Sequence, residues 1–323
     1  MVSLQRISIV VPVYRGEKTL ASLIRELETY TREQVSKGGV RFVVSEVLLV
    51  HDCGPDASDT VIETLAKAHP FVKPVWLTRN YGQHPATLAG MASATGDWVV
   101  TMDEDGQQDP AFLGDMLDTA KEGYQLVYGK PMNPPPHGII RNTLSKTAKR
   151  IAAFLLGNPA VTYFNSFRMV EGGIARSLAA YCGSGVFLDV ALFWITPRAG
   201  RCPVRLRREM DRPSGYSLIR LLRHFWQLIL TSGTKPLRLI TVMGFLSLIL
   251  GIGIACYVLW AKFHLQIPVQ GWASIVIVVS FFSGCILMAL GVIAEYLAVT
   301  MTIVMGKPLY LVSPKPARRF PRE

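Results

Sequence analysis

The sequence predicts an α/β domain built on a mostly parallel sheet, followed by amphipathic helices lying on a membrane surface and two helices crossing it. Three observations lead there. Apolar strand-like runs alternate with helical stretches between Ile7 and Gly129, the pattern of a parallel sheet covered on both faces. Two uncharged runs fill the C-terminal third, 23 residues from Leu239 to Ala261 and 30 from Leu265 to Ala294, and about 20 helical residues suffice to cross a bilayer core. Basic residues crowd the outer flanks of those runs.

The elements follow in order. Strands are expected at residues 7–13, 40–50, 72–77, 97–102 and 125–129, and helices at 18–34, 57–68, 83–94 and 110–122. Each polar cluster falls at the carboxyl end of a strand: Tyr14 with Arg15, Asp52 with Asp56, Arg79 with Asn80, and Asp103 with Asp105. Open α/β sheets bind their ligands at those ends. No GxGxxG follows the first strand and no GxxxxGK[ST] occurs anywhere, so dinucleotide and P-loop readings are set aside.

Composition agrees. Of 323 residues, 50% are hydrophobic and 18% charged, with a mean hydropathy of +0.30; a disordered chain is excluded. Five cysteines without CxxC spacing read as free thiols in a reducing compartment or in membrane, and no zinc site is visible. The net charge is +11, and residues 137–223 hold 14 Lys or Arg against four Asp or Glu. That excess lies beside the predicted membrane, which favours anionic lipid over nucleic acid as the partner.

Residues 216–235 carry Leu218, Leu221, Leu222, Phe225, Leu228 and Ile229 at helical spacing, with Arg220, Arg223 and His224 mostly opposite: an interfacial helix. Residues 141–156 set Lys146, Lys149 and Arg150 against Leu144, Ala148, Ile151 and Phe154 in the same way. The start of the chain lacks the long apolar core of a signal peptide. Lys235 and Arg238 precede the spans and Lys307, Lys315, Arg318, Arg319 and Arg322 follow them, while the connector near Pro268 holds only Lys262 and His264. By the positive-inside rule both termini and the α/β domain are cytoplasmic.

Asp103-x-Asp105 places two carboxylates at close range. Like charges that close raise each other's pKa unless a cation lies between them. Mg²⁺ or Mn²⁺ takes one or two carboxylates, with phosphate oxygens and water completing its shell. Gln107 can add an oxygen; a polar loop with incidental acids is the alternative.

Val11-Pro12-Val13-Tyr14, the Asp52 loop, Arg79-Asn80-Tyr81-Gly82-Gln83-His84, Ala89-Gly90, Gly96-Asp97 and Asp103-x-Asp105-x-Gln107 stand in an order that resembles family-2 glycosyltransferases of the GT-A fold. The basic 141–146 segment, Arg168, Ser214-Gly215-Tyr216-Ser217, the two spans, Glu295-Tyr296 and Lys307-Pro308-x-Tyr310 narrow the resemblance to polyisoprenyl-phosphate glycosyltransferases, nearest the undecaprenyl-phosphate aminoarabinose type.

The resemblance implies a bacterial cytoplasmic-membrane enzyme that moves a sugar from a nucleotide-sugar, a UDP-sugar by preference, to a polyprenyl phosphate, with Mg²⁺ or Mn²⁺ as cofactor. It implies a GT-A domain over 1–215, an interfacial helix over 216–235, spans within 236–302 and a basic tail over 303–323. Pro12 and Tyr14 would pack the base and Asp52 would bond the base or ribose. Asp103 and Asp105, with Gln107, would hold metal and diphosphate, and Arg141 and Lys146 would attract the lipid phosphate. Self-association is left open.

Four departures stand out. Arg15-Gly16 replaces the family's Asn-Glu, His51-Asp52-Cys53-Gly54 lacks one acid of the usual loop, and Gly215 replaces a lysine. No acid occurs from Gly123 to Val170, where many members keep one before the segment matching Phe167-Arg168. The pyrophosphate clamp then falls to Arg207, Arg208 or Arg212. Asp189 lies near an acceptor-side acid of other members and is a catalytic candidate, with helix capping or an arginine pair as alternatives. A lipid monophosphate is already anionic at neutral pH, so the missing acid is tolerable for this acceptor. A non-catalytic relative that binds lipid phosphate is the competing reading; a processive polysaccharide synthase is disfavoured because Gln-x-x-Arg-Trp is absent.

Overall fold

The computed structural model describes residues 3–133, 164–183, 187–196, 198–207, 235–264, 271–306 and 308–316. The expected amphipathic helix at 141–156 and the interfacial helix at 216–235, apart from Lys235, lie outside these residues, as does the connector near Pro268.

Nine strands form one sheet among the described residues. They are β1 (Gln5–Val13), β2 (Gln34–Val35), β3 (Arg41–His51), β4 (Val72–Leu77), β5 (Trp98–Thr101), β6 (Leu126–Pro131), β7 (Arg168–Glu171), β8 (Gly200–Val204) and β9 (Val312–Ser313). The order is β8-β6-β7-β5-β1-β3-β4-β9, with β2 beside β3. β5, β1, β3 and β4 run parallel. β7 runs antiparallel between β5 and β6, so the sheet is mixed.

Alternation along β1 builds two cores. Ile7, Ile9, Val11 and Val13 face one side and Val10 the other, as period-two side chains must. On the first side lie α1 (Leu20–Glu28), α2 (Ser58–Ala68) and α4 (Leu113–Ala120); on the second lie α3 (Gln83–Ser93), α5 (Gly172–Tyr181) and α6 (Leu188–Ile195). In α1 the buried residues Leu20, Leu23, Ile24 and Leu27 repeat at the spacing of one helix face. Gly90 lets α3 sit directly on the sheet, because a Cβ there would stand 2.3 Å from Val10 Cγ1.

The helix expected over 18–34 is shorter than its sequence pattern. Thr29 Oγ1 and Thr31 Oγ1 donate back to the carbonyls of Glu26 and Glu28, at 2.8 and 2.7 Å, and a 3₁₀ turn at Thr29–Thr31 ends the helix. Hydroxyls that bond their own backbone compete with helix in this way. Gln34–Val35 then pairs antiparallel with β3.

The C-terminal third forms α7 (Lys235–His264) and α8 (Trp272–Val304). Phe281–Met301 is long and apolar enough to cross a membrane, with a mean hydropathy of 1.9, and Gly244–Ile254 is a shorter apolar stretch. Part of the expected tail instead returns to the domain. Thr78 N donates to Leu311 O at 3.1 Å, β9 pairs antiparallel with β4, and Leu309 and Tyr310 pack on the second core.

One buried acid ties β1, β3 and β4 together below the sheet centre. Glu46 is 1% exposed and accepts hydrogen bonds from Ser8 Oγ at 2.6 Å, Thr95 N at 2.6 Å, Thr95 Oγ1 at 2.8 Å and Lys73 Nζ at 2.6 Å. Burial pushes the Glu46 carboxyl up, but the bonds from Lys73, Ser8 and Thr95 outweigh it and hold it at about 2. A carboxylate depressed by folding stabilises the native state above its ordinary pKa of 4.5, and that stability drains away as pH falls through the folded value. The contribution is about 2 kcal/mol at neutral pH, less than the whole shift converts to because Lys73 is half exposed and screened. Glu46→Gln is therefore expected to flatten the decline in stability between pH 4.5 and 2, measured by denaturant unfolding across that range; an unchanged acid limb contradicts it.

Candidate active site

A cleft of about 440 Å³ opens at the carboxyl ends of the central strands. Pro12, Val13 and Tyr14 enter it from the end of β1, Asp52 from β3, Asn80, Gly82 and Gln83 from the loop after β4, and Asp103, Glu104 and Asp105 from the loop after β5. β1 has β3 on one side and β5 on the other, so the cleft lies where strand order reverses, the place such sheets reserve for ligands.

The β1 and β3 ends touch directly. A Cβ at Gly54 would lie 1.7 Å from Tyr14 O, so only glycine fits there. Cys53 just before it holds a left-handed φ of 48°, and its Sγ donates to Leu77 O at 3.0 Å. The departure Cys53-Gly54 thus makes a tight crossing of two strand ends.

Asp52 is buried. Its Oδ1 and Oδ2 accept the amides of Tyr81 and Gly82 at 2.7 and 2.8 Å, and its own amide donates to Val13 O at 2.8 Å. Burial pushes its carboxyl up to about 6, against the lowering by those two amides and by Arg79. Asp52, expected to bond base or ribose, already shapes the Arg79–Gly82 loop. Gly82 takes φ 96°, a conformation glycine adopts without strain. Tyr14 is 39% exposed and lines the cleft with Pro12, with the Arg15 guanidinium 5.7 Å from its ring centroid.

Asp103 is oriented from behind. Gln108 Oε1 accepts the Asp103 amide and Gln108 Nε2 donates to Asp103 Oδ2, both at 2.9 Å. Ser166 Oγ also donates to Oδ2, and Gln108 Nε2 reaches Ser166 Oγ at 2.8 Å. Among the described residues Oδ1 takes Gln83 Nε2, at 2.7 Å. Burial pushes the Asp103 carboxyl up to about 6; Ser166, Arg168 and Gln108 pull it down while the charge of Asp105 adds to the rise. Asp105 lies on the same wall and accepts the Gln107 amide at 3.0 Å. Two carboxylates repelling each other in a cleft are the donor set a hard divalent cation uses with phosphate oxygens. No group of three or more His, Cys, Asp or Glu side chains converges on a metal position among the described residues.

Other expected residues lie elsewhere. Asp189 sits in the first turn of α6, 3% exposed, and pairs with Arg168, itself 3% exposed. Tyr128 Oη donates to the same Asp189 oxygen at 2.7 Å. The carboxylate expected at the acceptor is held in the core by a buried guanidinium, the arginine-pair alternative. Arg207 does not face the cleft as a free clamp. It reaches Glu26 at 2.7 Å and Asp109 at 2.9 Å, while its amide donates to Gln107 O at 2.8 Å. Gln107 does not line the cleft. Arg141, Lys146, Arg208 and Arg212 lie outside the described residues.

The motif order now meets a matching fold and cleft, and residues 8–175 match the family described as glycosyl transferase family 2. The chain belongs to glycosyl transferase family 2. As a family-2 glycosyltransferase it is a transferase enzyme. It is 28% identical over 311 residues, 95% of this chain and 93% of the relative, to an undecaprenyl-phosphate 4-deoxy-4-formamido-L-arabinose transferase of Klebsiella pneumoniae strain 342. A relative of the same name from Klebsiella pneumoniae subsp. pneumoniae matches equally. Among solved structures it is similar to glucosyl-3-phosphoglycerate synthase from Mycobacterium tuberculosis, whose crystals hold Mn²⁺, UDP and glucosyl-3-phosphoglycerate. That likeness has a TM-score of 0.50 and 20% identity, covering 72% of this chain and 80% of that one. It shows the GT-A-like α/β fold.

Sequence reasoning gave no role to two residues of this glycosyltransferase's cleft, Gln83 and Glu104, or to Gln108 and Ser166, which hold Asp103 from behind it. The tandem Gln107-Gln108 was the available signal for one of them, and the first glutamine drew the attention. Ser166 stands 63 residues from Asp103, with no local pattern to mark it.

The Arg168–Asp189 pair yields a direct test. Removing one partner of a buried pair leaves an uncompensated charge at a cost of about 3–5 kcal/mol. Asp189→Asn is expected to lower stability by that order, and Arg168→Met with Asp189→Leu to recover most of it, read as unfolding midpoints in detergent. A stable Asp189→Asn protein that has lost turnover would instead return Asp189 to direct chemistry.

Proposed function

We propose that this glycosyltransferase moves a sugar from a UDP-sugar to undecaprenyl phosphate at a bacterial cytoplasmic membrane, with inversion at the anomeric carbon. The observation that carries the reading is the cleft, where a tyrosine, an amide-bonded loop and two adjacent aspartates converge at the strand ends. The similarity to the named undecaprenyl-phosphate transferases over nearly the whole chain supports the acceptor. The UDP and Mn²⁺ of the glucosyl-3-phosphoglycerate synthase crystals support the donor and cofactor.

In this reading residues 1–215 form the cytoplasmic catalytic domain, 216–235 an interfacial helix, and α7 and α8 two spans, with both chain ends cytoplasmic. Pro12 and Tyr14 pack the base, and Asp52 keeps the Arg79–Gly82 loop in place beside it. Asp103 and Asp105 would hold Mg²⁺ or Mn²⁺, which would supply positive charge against the diphosphate; Gln107, outside the cleft lining, is left out of that set. Gln108 and Ser166 hold Asp103 Oδ2 so that Oδ1 faces the cleft. Arg208 and Arg212 would supply positive charge to the diphosphate, and Arg141 and Lys146 would attract the lipid phosphate.

A lipid phosphate oxygen attacks the anomeric carbon as the bond to the nucleotide diphosphate breaks. The new bond joins sugar to lipid phosphate, and UDP leaves with the electron pair. The nucleophile is already an anion, so no side chain has to remove a proton.

The test uses full-length protein in detergent with Mn²⁺ or Mg²⁺, undecaprenyl phosphate and a panel of UDP-sugars. Mass spectrometry is expected to find a glycosylated lipid monophosphate, and Asp105→Ala to lower turnover about 100-fold or more. Full activity in Asp105→Ala overturns the metal assignment. No product together with no UDP binding overturns the donor reading.

A further inference from the structure

We propose that Glu104, the residue between the two aspartates, is a positioning residue that locks the base-facing end of β1 to the metal-facing turn. The proposal rests on the reading of the cleft as a nucleotide-sugar site and adds a part to it.

Glu104 accepts the amide of Tyr14 at 3.0 Å and that of Arg15 at 3.0 and 3.1 Å through its two oxygens. These amides lie just beyond the last residue of β1, where the sheet ladder gives them no partner. A carboxylate accepting two backbone amides makes charge-assisted bonds, about twice as strong as neutral ones. One side chain therefore spans from the turn that carries Asp103 and Asp105 to the residue that carries the Tyr14 ring.

Gly16 completes the device. A Cβ at Gly16 would stand 2.9 Å from Glu104 Oε2 and 2.8 Å from Leu20 Cγ. The departure Arg15-Gly16 is thus the space the Glu104 carboxylate needs. The turn is closed from the other side by Gly16 N donating to Ser58 Oγ at 2.8 Å and Glu17 N donating to Asp56 Oδ2 at 3.1 Å. Loosening Glu104 frees the Tyr14 side of the cleft and leaves Asp103 held by Gln108 and Ser166. The effect should fall on nucleotide affinity and spare metal-dependent chemistry.

The experiment measures UDP binding in the presence of Mn²⁺, donor KM and kcat for wild type, Glu104→Gln, Glu104→Ala and Gly16→Ala, all full length in detergent. Glu104→Ala is expected to weaken UDP binding and raise donor KM about tenfold, the equivalent of one such bond, with kcat nearly unchanged. Glu104→Gln, which keeps one acceptor oxygen, should fall between, and it carries the test if the alanine variant does not fold. Gly16→Ala should also raise donor KM, because its Cβ would press on Glu104 Oε2 as well as on Leu20. Unchanged donor KM in Glu104→Ala overturns the proposal, as does a fall in kcat alone, which would put Glu104 in the metal shell. Wild type that binds no UDP instead removes the donor reading on which the proposal rests.

Discussion

Backbone amides beyond the carboxyl ends of parallel strands have no sheet partner, and here acidic side chains take them. Asp52 binds the amides of Tyr81 and Gly82, Glu104 those of Tyr14 and Arg15, and Asp105 that of Gln107. Each bond satisfies a donor that would otherwise be orphaned; the Asp52 and Glu104 bonds also tie a loop to a strand end, while the Asp105 bond closes its own turn. The cleft is therefore built from negative groups even before a ligand is considered. Such a cleft suits a cation-bridged diphosphate, since the acids not turned toward amides still need positive charge.

Behind the cleft the same economy of polar groups continues into the core. Asp103 is gripped by Gln108 and Ser166, and Thr101 Oγ1 donates to Ser166 O. Two residues on from Ser166, at the start of β7, Arg168 pairs with Asp189, which also receives the Tyr128 hydroxyl. A buried guanidinium needs a partner, and β7 supplies the path that brings one wall of the cleft into contact with α6. The chain leaving α8 adds a further tie: Leu311 O holds the Thr78 amide at the root of the Arg79–Gly82 loop. The apolar helices and the Arg79–Gly82 loop are thus joined by a few residues of backbone pairing.

Much of this was legible in residue order. The run of apolar strands and helices through residue 129, the strand-end clusters, Asp103-x-Asp105 and the long uncharged stretches each depend on local spacing, which a sequence displays. Helix 18–34 was overread because the hydroxyls of Thr29 and Thr31 turn back on their own backbone, a choice between two local bonds that spacing does not reveal. The resemblance implied a mixed, mostly parallel sheet, but which strand reverses was not legible. No strand was expected at Arg168–Glu171, and its direction is decided by pairing with β5 and β6.

The amino-acid order by itself determined the fold class, the family and the positions of the two acids, because apolar periodicity and short motifs are properties of neighbours along the chain. Only the tertiary structure decided what each acid does. Asp189 reads as a catalytic candidate until Arg168 is seen beside it, and Glu104 reads as the silent middle of a motif until the Tyr14 and Arg15 amides arrive from 90 and 89 residues away. Hydrogen bonds and ion pairs between distant segments are set by how the strands pack, and strand packing brings together residues that no spacing along the chain connects.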